Sequence, residues 1–273
     1  MPLHHIVVLA LIQGITEFLP ISSSAHLVLV PVLTGWPDQG LVIDVAVHVG
    51  TLLAVILYFR RDVAEMGLGF VRLLAGGRER EARLALQLVI ASVPAFGAGL
   101  LLHELAGTLF RPEGVNVVFV TAVIAWTTIG FGVLLWLADR FCISVRRVEH
   151  LGYGDAILVG LAQALALIPG TSRSGITMTA GRVLGLERAE AARFSLLLSI
   201  PVIAGAGALA AKDVYDAGDL VLGQDALLAA ALAFVSALAA IALMMRWLRR
   251  ASFTPFVVYR LLLGAGLLYY LYG

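Results

Sequence analysis

The sequence predicts an all-α integral membrane protein: six transmembrane helices plus two re-entrant helical hairpins arranged as an inverted repeat. Composition, the number of long apolar stretches and a polar break that occurs twice carry that prediction. Of 273 residues, 60% are hydrophobic and 14% charged, and mean hydropathy is +0.96. Soluble domains run at roughly 45–50% apolar and about 25% charged, so these few charges cannot cover that much apolar surface in water. Net charge is +1 and no Lys/Arg stripe interleaves with aromatics, which argues against a nucleic-acid partner. Cys142, the single cysteine, excludes an intrachain disulfide and a cysteine zinc cage; it reads as a small filler near a helix end. The start, Met1-Pro2-Leu3-His4-His5, has no basic region, and Gln13, Thr16 and Glu17 interrupt the apolar run behind it, unlike a cleavable signal peptide.

A membrane helix needs about 20 mostly apolar residues. The first apolar region, 3–33, is broken by Pro20-Ile21-Ser22-Ser23-Ser24. Each half is too short to cross, so a hairpin that enters and leaves by one face is predicted. Unbroken spans follow at 41–59, 84–105 and 115–138. Region 154–182 repeats the hairpin pattern, broken by Pro169-Gly170-Thr171-Ser172-Arg173-Ser174-Gly175. Spans 193–211, 225–247 and 254–272 complete the chain. Non-helical backbone at membrane depth is tolerated only when buried in protein or lining a wet cavity, so the two breaks mark a site. They also match each other. Gln13 precedes Pro20 by seven residues and Gln163 precedes Pro169 by six, and one residue after each proline comes a hydroxyl pair, Ser22-Ser23 or Thr171-Ser172. The chain thus reads as two copies, about 1–140 and 150–273, each a hairpin followed by three spans. An odd number of crossings turns the second copy upside down, and in inverted repeats the ligand site lies where the broken helices meet.

Loop charge orients this arrangement. The loop 60–83 carries Arg60, Arg61, Arg72, Arg78, Arg80 and Arg83. Its side also receives Arg140, Arg146, Arg147, Arg182, Arg188, Arg193, Arg246, Arg249 and Arg250. The opposite side has only Arg111 and Lys212, beside Asp38, Glu113, Asp213, Asp216, Asp219 and Asp225. The positive-inside rule makes the arginine-rich side cytoplasmic. Both termini then lie outside, and the first hairpin opens to the outer face.

Ionisable groups at membrane depth cost about 2.5–3.5 kcal/mol or more, which makes those present functional candidates. In the first hairpin they are Glu17 and His26, accompanied by Gln13, Ser22, Ser23 and Ser24; Gln13 and Glu17 share a helix face. In the second, Arg173 stands among Gly170, Thr171, Ser172 and Ser174. Asp44 and His48 share a face of span 41–59 and read as supporting hydrogen-bonding groups. Arg260, in the last span, is expected to snorkel to the interface. The pairs Gly97/Gly99, Gly205/Gly207 and Gly264/Gly266 read as close helix contacts. The chemistry these groups suit is phosphate handling. A helix restarting after each break presents unpaired N–H groups and partial positive charge, capped by Ser or Thr. Arg173 adds a fork of donors matched to phosphate oxygens. Glu17 can hold a divalent cation or act as a base, and Ser22, Ser23 and His26 can serve as nucleophiles or proton carriers. Each has a plainer role open to it: a Glu17–Arg173 ion pair, serines that only cap, a His26 that satisfies a carbonyl.

The run Gln13-Gly14-Ile15-Thr16-Glu17-Phe18-Leu19-Pro20-Ile21-Ser22-Ser23-Ser24-Ala25-His26 resembles the first signature of the bacterial undecaprenyl-diphosphate phosphatases of the bacitracin-resistance type. Pro169-Gly170-Thr171-Ser172-Arg173-Ser174-Gly175-Ile176-Thr177 resembles the second, and Phe253-Thr254-Pro255-Phe256-Val257-Val258-Tyr259-Arg260 fits the family's tail. The resemblance covers essentially the whole chain. It implies an inner-membrane enzyme that hydrolyses undecaprenyl diphosphate to the monophosphate carrier of peptidoglycan precursors, with magnesium or calcium as the divalent cation. It implies essential roles for Glu17, Ser22, Ser23, His26, Ser172 and Arg173. Gln13 stands where the family often has Glu. An amide offers a metal its carbonyl oxygen but is no base, so a carboxylate role falls on Glu17. Ala25 stands where Gly is common.

From these residues Glu17, Ser23, His26 and Arg173 are the expected catalytic set, with Ser22, Ser24, Gly170, Thr171, Ser172 and Ser174 binding substrate, and Glu17 with Gln13 holding the metal. The attacking group is Ser23, His26 or a water, with Ser23 favoured, activated by Glu17 or His26. The partners expected are a polyprenyl diphosphate and the surrounding lipid; a homodimer is left open. The alternative reading is a transporter or lipid flippase for a phosphate-bearing substrate, because inverted repeats with broken helices also build transporters.

Overall fold

A computed structural model describes residues 2–37, 40–75, 80–109, 117–216 and 223–273. The first break separates α1 (Leu3–Thr16) from α2 (Ser23–Thr34). Then come α3 (Leu41–Tyr58), α4 (Arg60–Leu74), α5 (Arg80–Leu109) and α6 (Val117–Phe141). The second half contains α7 (Tyr153–Ala164), α8 (Arg173–Val183), α9 (Arg188–Asp216), α10 (Gln224–Leu248) and α11 (Thr254–Tyr272). Among the described residues six helices are long and apolar enough to cross a membrane, namely α3, α5, α6, α9, α10 and α11. These are the six predicted spans. The four helices flanking the two breaks have 14, 12, 12 and 11 residues, each shorter than the roughly 17–25 a crossing needs.

One difference concerns residues 60–83, read above as a loop. Most of that segment is α4. Its arginines and acids, Arg60, Arg61, Asp62, Glu65 and Arg72, alternate at helical spacing with Val63, Met66, Phe70 and Val71. Phe70 and Val71 remain exposed, the pattern of a helix lying in the interface plane. Of the other loop charges, Asp38, Arg78, Arg111, Glu113 and Asp219 lie outside the described residues.

The helices pack in exchanged pairs. α1 lies against α10, and α7 against α5; α3 contacts α10 while α9 contacts α5; α3 meets α9, and α6 meets α11. Small residues make the closest approaches. A Cβ on Gly14 of α1 would come 2.7 Å from the Ala233 carbonyl of α10, and one on Gly160 of α7 would come 2.6 Å from the Ala91 carbonyl of α5. Of the glycine pairs read as close contacts, Gly205 abuts Phe96 and Gly264 abuts Ile129 and Ala125, whereas Gly97, Gly207 and Gly266 face open space. Large apolar side chains such as Phe119, Trp126, Leu243 and Leu262 point outward, where only lipid relieves the cost of their exposure.

Asp139 locks the arginine-rich end. Its Oδ1 accepts from Arg188 Nε at 2.7 Å and Arg182 Nε at 3.2 Å, and its Oδ2 accepts from the Phe253 amide at 3.2 Å. That one carboxylate joins the ends of α6 and α8 to the starts of α9 and α11. Arg182 is therefore fully buried, although the sequence placed it in a charged loop.

Candidate active site

The two breaks share one unusual serine conformation. Ser22 has φ 73° and Ser172 has φ 72°, the only non-glycine residues with positive φ among those described. A backbone held in so sparsely populated a region costs of order 1–3 kcal/mol, and each serine recovers some of it as a helix cap. Ser22 Oγ accepts from the Ala25 amide at 3.4 Å, and Ser172 Oγ accepts from the Gly175 amide at 3.1 Å. Each also lies near the hydroxyl two residues on, Ser24 at 3.3 Å and Ser174 at 3.1 Å. The turn of the second break needs Gly170, at φ +88°, because a Cβ there would lie 2.7 Å from the Ile124 carbonyl.

Two capped helix N-termini, those of α2 and α8, converge on Glu17 just beyond the end of α1. Ser23 Oγ donates to Glu17 Oε2 at 2.6 Å, and Arg173 Nη2 donates to Glu17 Oε1 at 2.9 Å. Gln13, one turn earlier on α1, donates from Nε2 to Glu17 Oε2 at 2.9 Å. The carboxylate is buried, 8% exposed. Two polar atoms beside it have no partner among the described residues: Arg173 Nη1 and Gln13 Oε1. A buried donor or acceptor left unpaired costs about 1–3 kcal/mol, and at a cleft such atoms are where a ligand's polar groups fit. Glu17 and Arg173 form one end of a cavity of about 310 Å³ whose walls include Asp44, His48, Val45, Val202, Ile203 and Ala206. It lies between α3 and α9, and its lining sets Glu17, Arg173, Asp44 and His48 among apolar side chains.

His26 stands apart from this cluster. Because the Ser22 carbonyl can only accept, His26 Nδ1 carries the hydrogen of their 2.7 Å contact. Nε2 faces the Tyr259 hydroxyl at 2.5 Å, and the two rings stack. Neither ring nitrogen touches Ser23 or Glu17. Ser174 Oγ donates to the Leu19 carbonyl at 2.9 Å and so ties the second break to the first. Thr171 Oγ1 is buried with no partner.

Arg260 overturns its expected placement. It does not snorkel; its side chain is fully buried and reaches into both breaks. Nε donates to the Thr128 carbonyl at 2.9 Å, Nη1 to Thr171 at 3.0 Å and Pro20 at 3.3 Å, and Nη2 to Gly170 at 3.0 Å. The carbonyls that the broken helices cannot satisfy internally thus find one guanidinium. Gly175 makes room for it, since a Cβ there would come 2.8 Å from Arg260 Nη1. Sequence reasoning missed this because the partners are main-chain oxygens, which leave no residue-type signal. It also missed Tyr259, which only the folded contact to His26 reveals.

Among the described residues no three His, Cys, Asp or Glu side chains gather at metal-binding distance. A cation here would therefore take few protein donors, as magnesium commonly does, with water and phosphate filling the rest. Glu17 and the unpartnered Gln13 oxygen are chemically suited to it.

Comparison with known proteins agrees in extent and identity. Residues 6–266 match the family model described as bacitracin resistance protein BacA. An undecaprenyl-diphosphatase 1 of Rhodospirillum rubrum is 55% identical, covering 98% of this chain and 95% of that protein. An undecaprenyl-diphosphatase of Roseobacter denitrificans is 55% identical over 100% of both chains, and one of Ruegeria pomeroyi is 52% identical over 98% of both. With the match spanning both breaks and all six long apolar helices, the chain belongs to the bacitracin resistance protein BacA family.

Proposed function

We infer that this chain hydrolyses undecaprenyl diphosphate to undecaprenyl phosphate and inorganic phosphate, returning the lipid carrier to cell-wall synthesis. Family membership supports the reaction, and the observation that carries the mechanism is the Ser23–Glu17–Arg173 contact. The prenyl chain lies along the apolar walls between α3 and α9, and the diphosphate enters the charged end. Arg173, with Nη1 unpartnered, binds the terminal phosphate together with the amides opening α2 and α8. Ser22, Ser172 and Thr171 line that cradle. Phosphoryl transfer depends chiefly on such positioning and charge neutralisation.

Ser23 Oγ is the attacking atom. Its hydrogen already points at Glu17 Oε2, so a base is in place. The Oγ–P bond forms, the bridging P–O bond breaks, the proton passes to Glu17, and undecaprenyl phosphate leaves. Water then attacks the phosphoserine, the P–Oγ bond breaks, phosphate departs, and Ser23 regains its proton from Glu17. Of the two activators open to Ser23 in the sequence, the contacts favour Glu17, because His26 is engaged with Ser22 and Tyr259. Glu17 and the Gln13 amide oxygen would hold a magnesium or calcium ion, which would neutralise charge on the diphosphate.

The two halves are inverted copies, a reading supported by the matched serine turns and the exchanged helix contacts. The hairpins are re-entrant, both termini lie outside, and the site opens to the outer face, a reading the arginine distribution supports. Rapid quenching with substrate labelled in its terminal phosphate tests the mechanism. Acid-stable label on Ser23 is expected; acid-labile label on His26 would replace Ser23 as the nucleophile.

A further inference from the structure

His48 of α3 faces the same carboxylate from across the cavity. Its Nδ1 donates to the Asp44 carbonyl at 2.7 Å, so in the neutral ring the lone pair lies on Nε2. That atom is turned toward Glu17 Oε2 at 3.9 Å, too far for a direct hydrogen bond. A neutral imidazole lone pair and a carboxylate oxygen aimed at one another repel, and a cation between them makes both into ligands. Two donors of one ion, each about 2.1 Å from it, stand roughly 3.0–4.2 Å apart as the angle between them varies, and 3.9 Å falls in that range. The second sign is Gln13, fully buried, whose amide sits against the same Glu17 oxygen while its own Oε1 has no partner. Exchanging the two ends of that amide presents an oxygen beside Oε2, and a cation between the two oxygens stabilises that arrangement.

We propose that His48 Nε2 is a ligand of the divalent cation held at Glu17, which gives this site one nitrogen donor among oxygens. The proposal rests on the reading above that Glu17 binds a cation. Its consequence is selectivity. Imidazole raises affinity for cobalt, nickel and zinc relative to magnesium and calcium, which prefer all-oxygen sites. An amide in place of the imidazole restores an oxygen set without adding charge.

The test uses the purified full-length protein in detergent with manganese and cobalt as probes, inorganic phosphate present, and His48→Gln and Glu17→Gln beside the parent. Thermal unfolding confirms that each variant is folded. Pulsed EPR of bound manganese is expected to show coupling to a directly bound ¹⁴N, lost in His48→Gln. The same substitution is expected to weaken cobalt about tenfold or more relative to magnesium. If manganese binds and Glu17→Gln abolishes it, yet no ¹⁴N coupling appears and His48→Gln leaves the cobalt-to-magnesium preference unchanged, the role of His48 is overturned and the Glu17 site stands. If the parent binds no manganese, the cation reading itself fails.

Discussion

Arg173 donates to Glu17 at 2.9 Å across a separation of 156 residues, so a largely buried ion pair joins the two breaks. One partner comes from each half of the chain. The pair explains why neither break has its chemistry alone: the acid and the hydroxyl belong to the first, the cation to the second. Glu17→Ala and Arg173→Ala are each expected to lower phosphate release by about 10²–10³-fold or more. The double variant should lose little beyond the worse single one, because the residues act as a unit. Unfolding in the same detergent must accompany the assay, since orphaning one member of a buried pair costs about 3–5 kcal/mol. Losses that multiply would show that the two act independently.

Arg260→Met and Arg260→Lys are expected to destabilise the protein similarly, by about 3 kcal/mol or more, because each strands buried carbonyls. Lysine does not rescue: one ammonium cannot span Thr128 on one side and Gly170 and Thr171 on the other, as a planar fork does. Thermal unfolding in detergent reads this directly. A stable, fully active Arg260→Lys would mean that the breaks hold their shape without the fork.

Ser22 and Ser172 separate backbone need from hydroxyl chemistry. Ser172→Gly loses a cap worth only a few tenths of a kcal/mol relative to glycine and gains where φ is positive, so its stability should match or exceed the parent's. Ser172→Ala keeps the strain and loses the cap, at about 1 kcal/mol. Reduced turnover in a stable Ser172→Gly would then report the hydroxyl's contact with phosphate.

Orientation is testable with one engineered thiol. In a Cys142→Ser background, Thr34→Cys, at the exposed end of α2, is expected to react with a membrane-impermeant maleimide added outside intact cells. Labelling only after the cytoplasmic face is opened would reverse the predicted topology.

Much of this arrangement is legible in the sequence because membrane physics leaves few options. Long apolar runs become spans, and α3, α6, α10 and α11 begin and end within a few residues of expectation. The polar breaks stand out because nothing else in an apolar segment explains Glu17 or Arg173. What escapes is whatever depends on main-chain partners or on the far half of the chain. Arg260 looks like an interfacial residue until the breaks supply carbonyls for it. Tyr259 is an ordinary aromatic until His26 lies beside it. Asp139, unremarked in sequence, gathers Arg182, Arg188 and the Phe253 amide. The helix α4 was hidden by charge density that suits a loop and an interfacial helix equally well.

The most direct measurement is release of inorganic phosphate from undecaprenyl diphosphate by the purified protein in detergent micelles, where no second compartment exists. It should be run with magnesium or calcium, with chelator, and with Glu17→Ala and Arg173→Ala as controls. The account predicts cation-dependent release that both substitutions abolish. No release from folded protein would contradict it, and would leave Glu17 and Arg173 as a binding pair of the transporter considered at the outset.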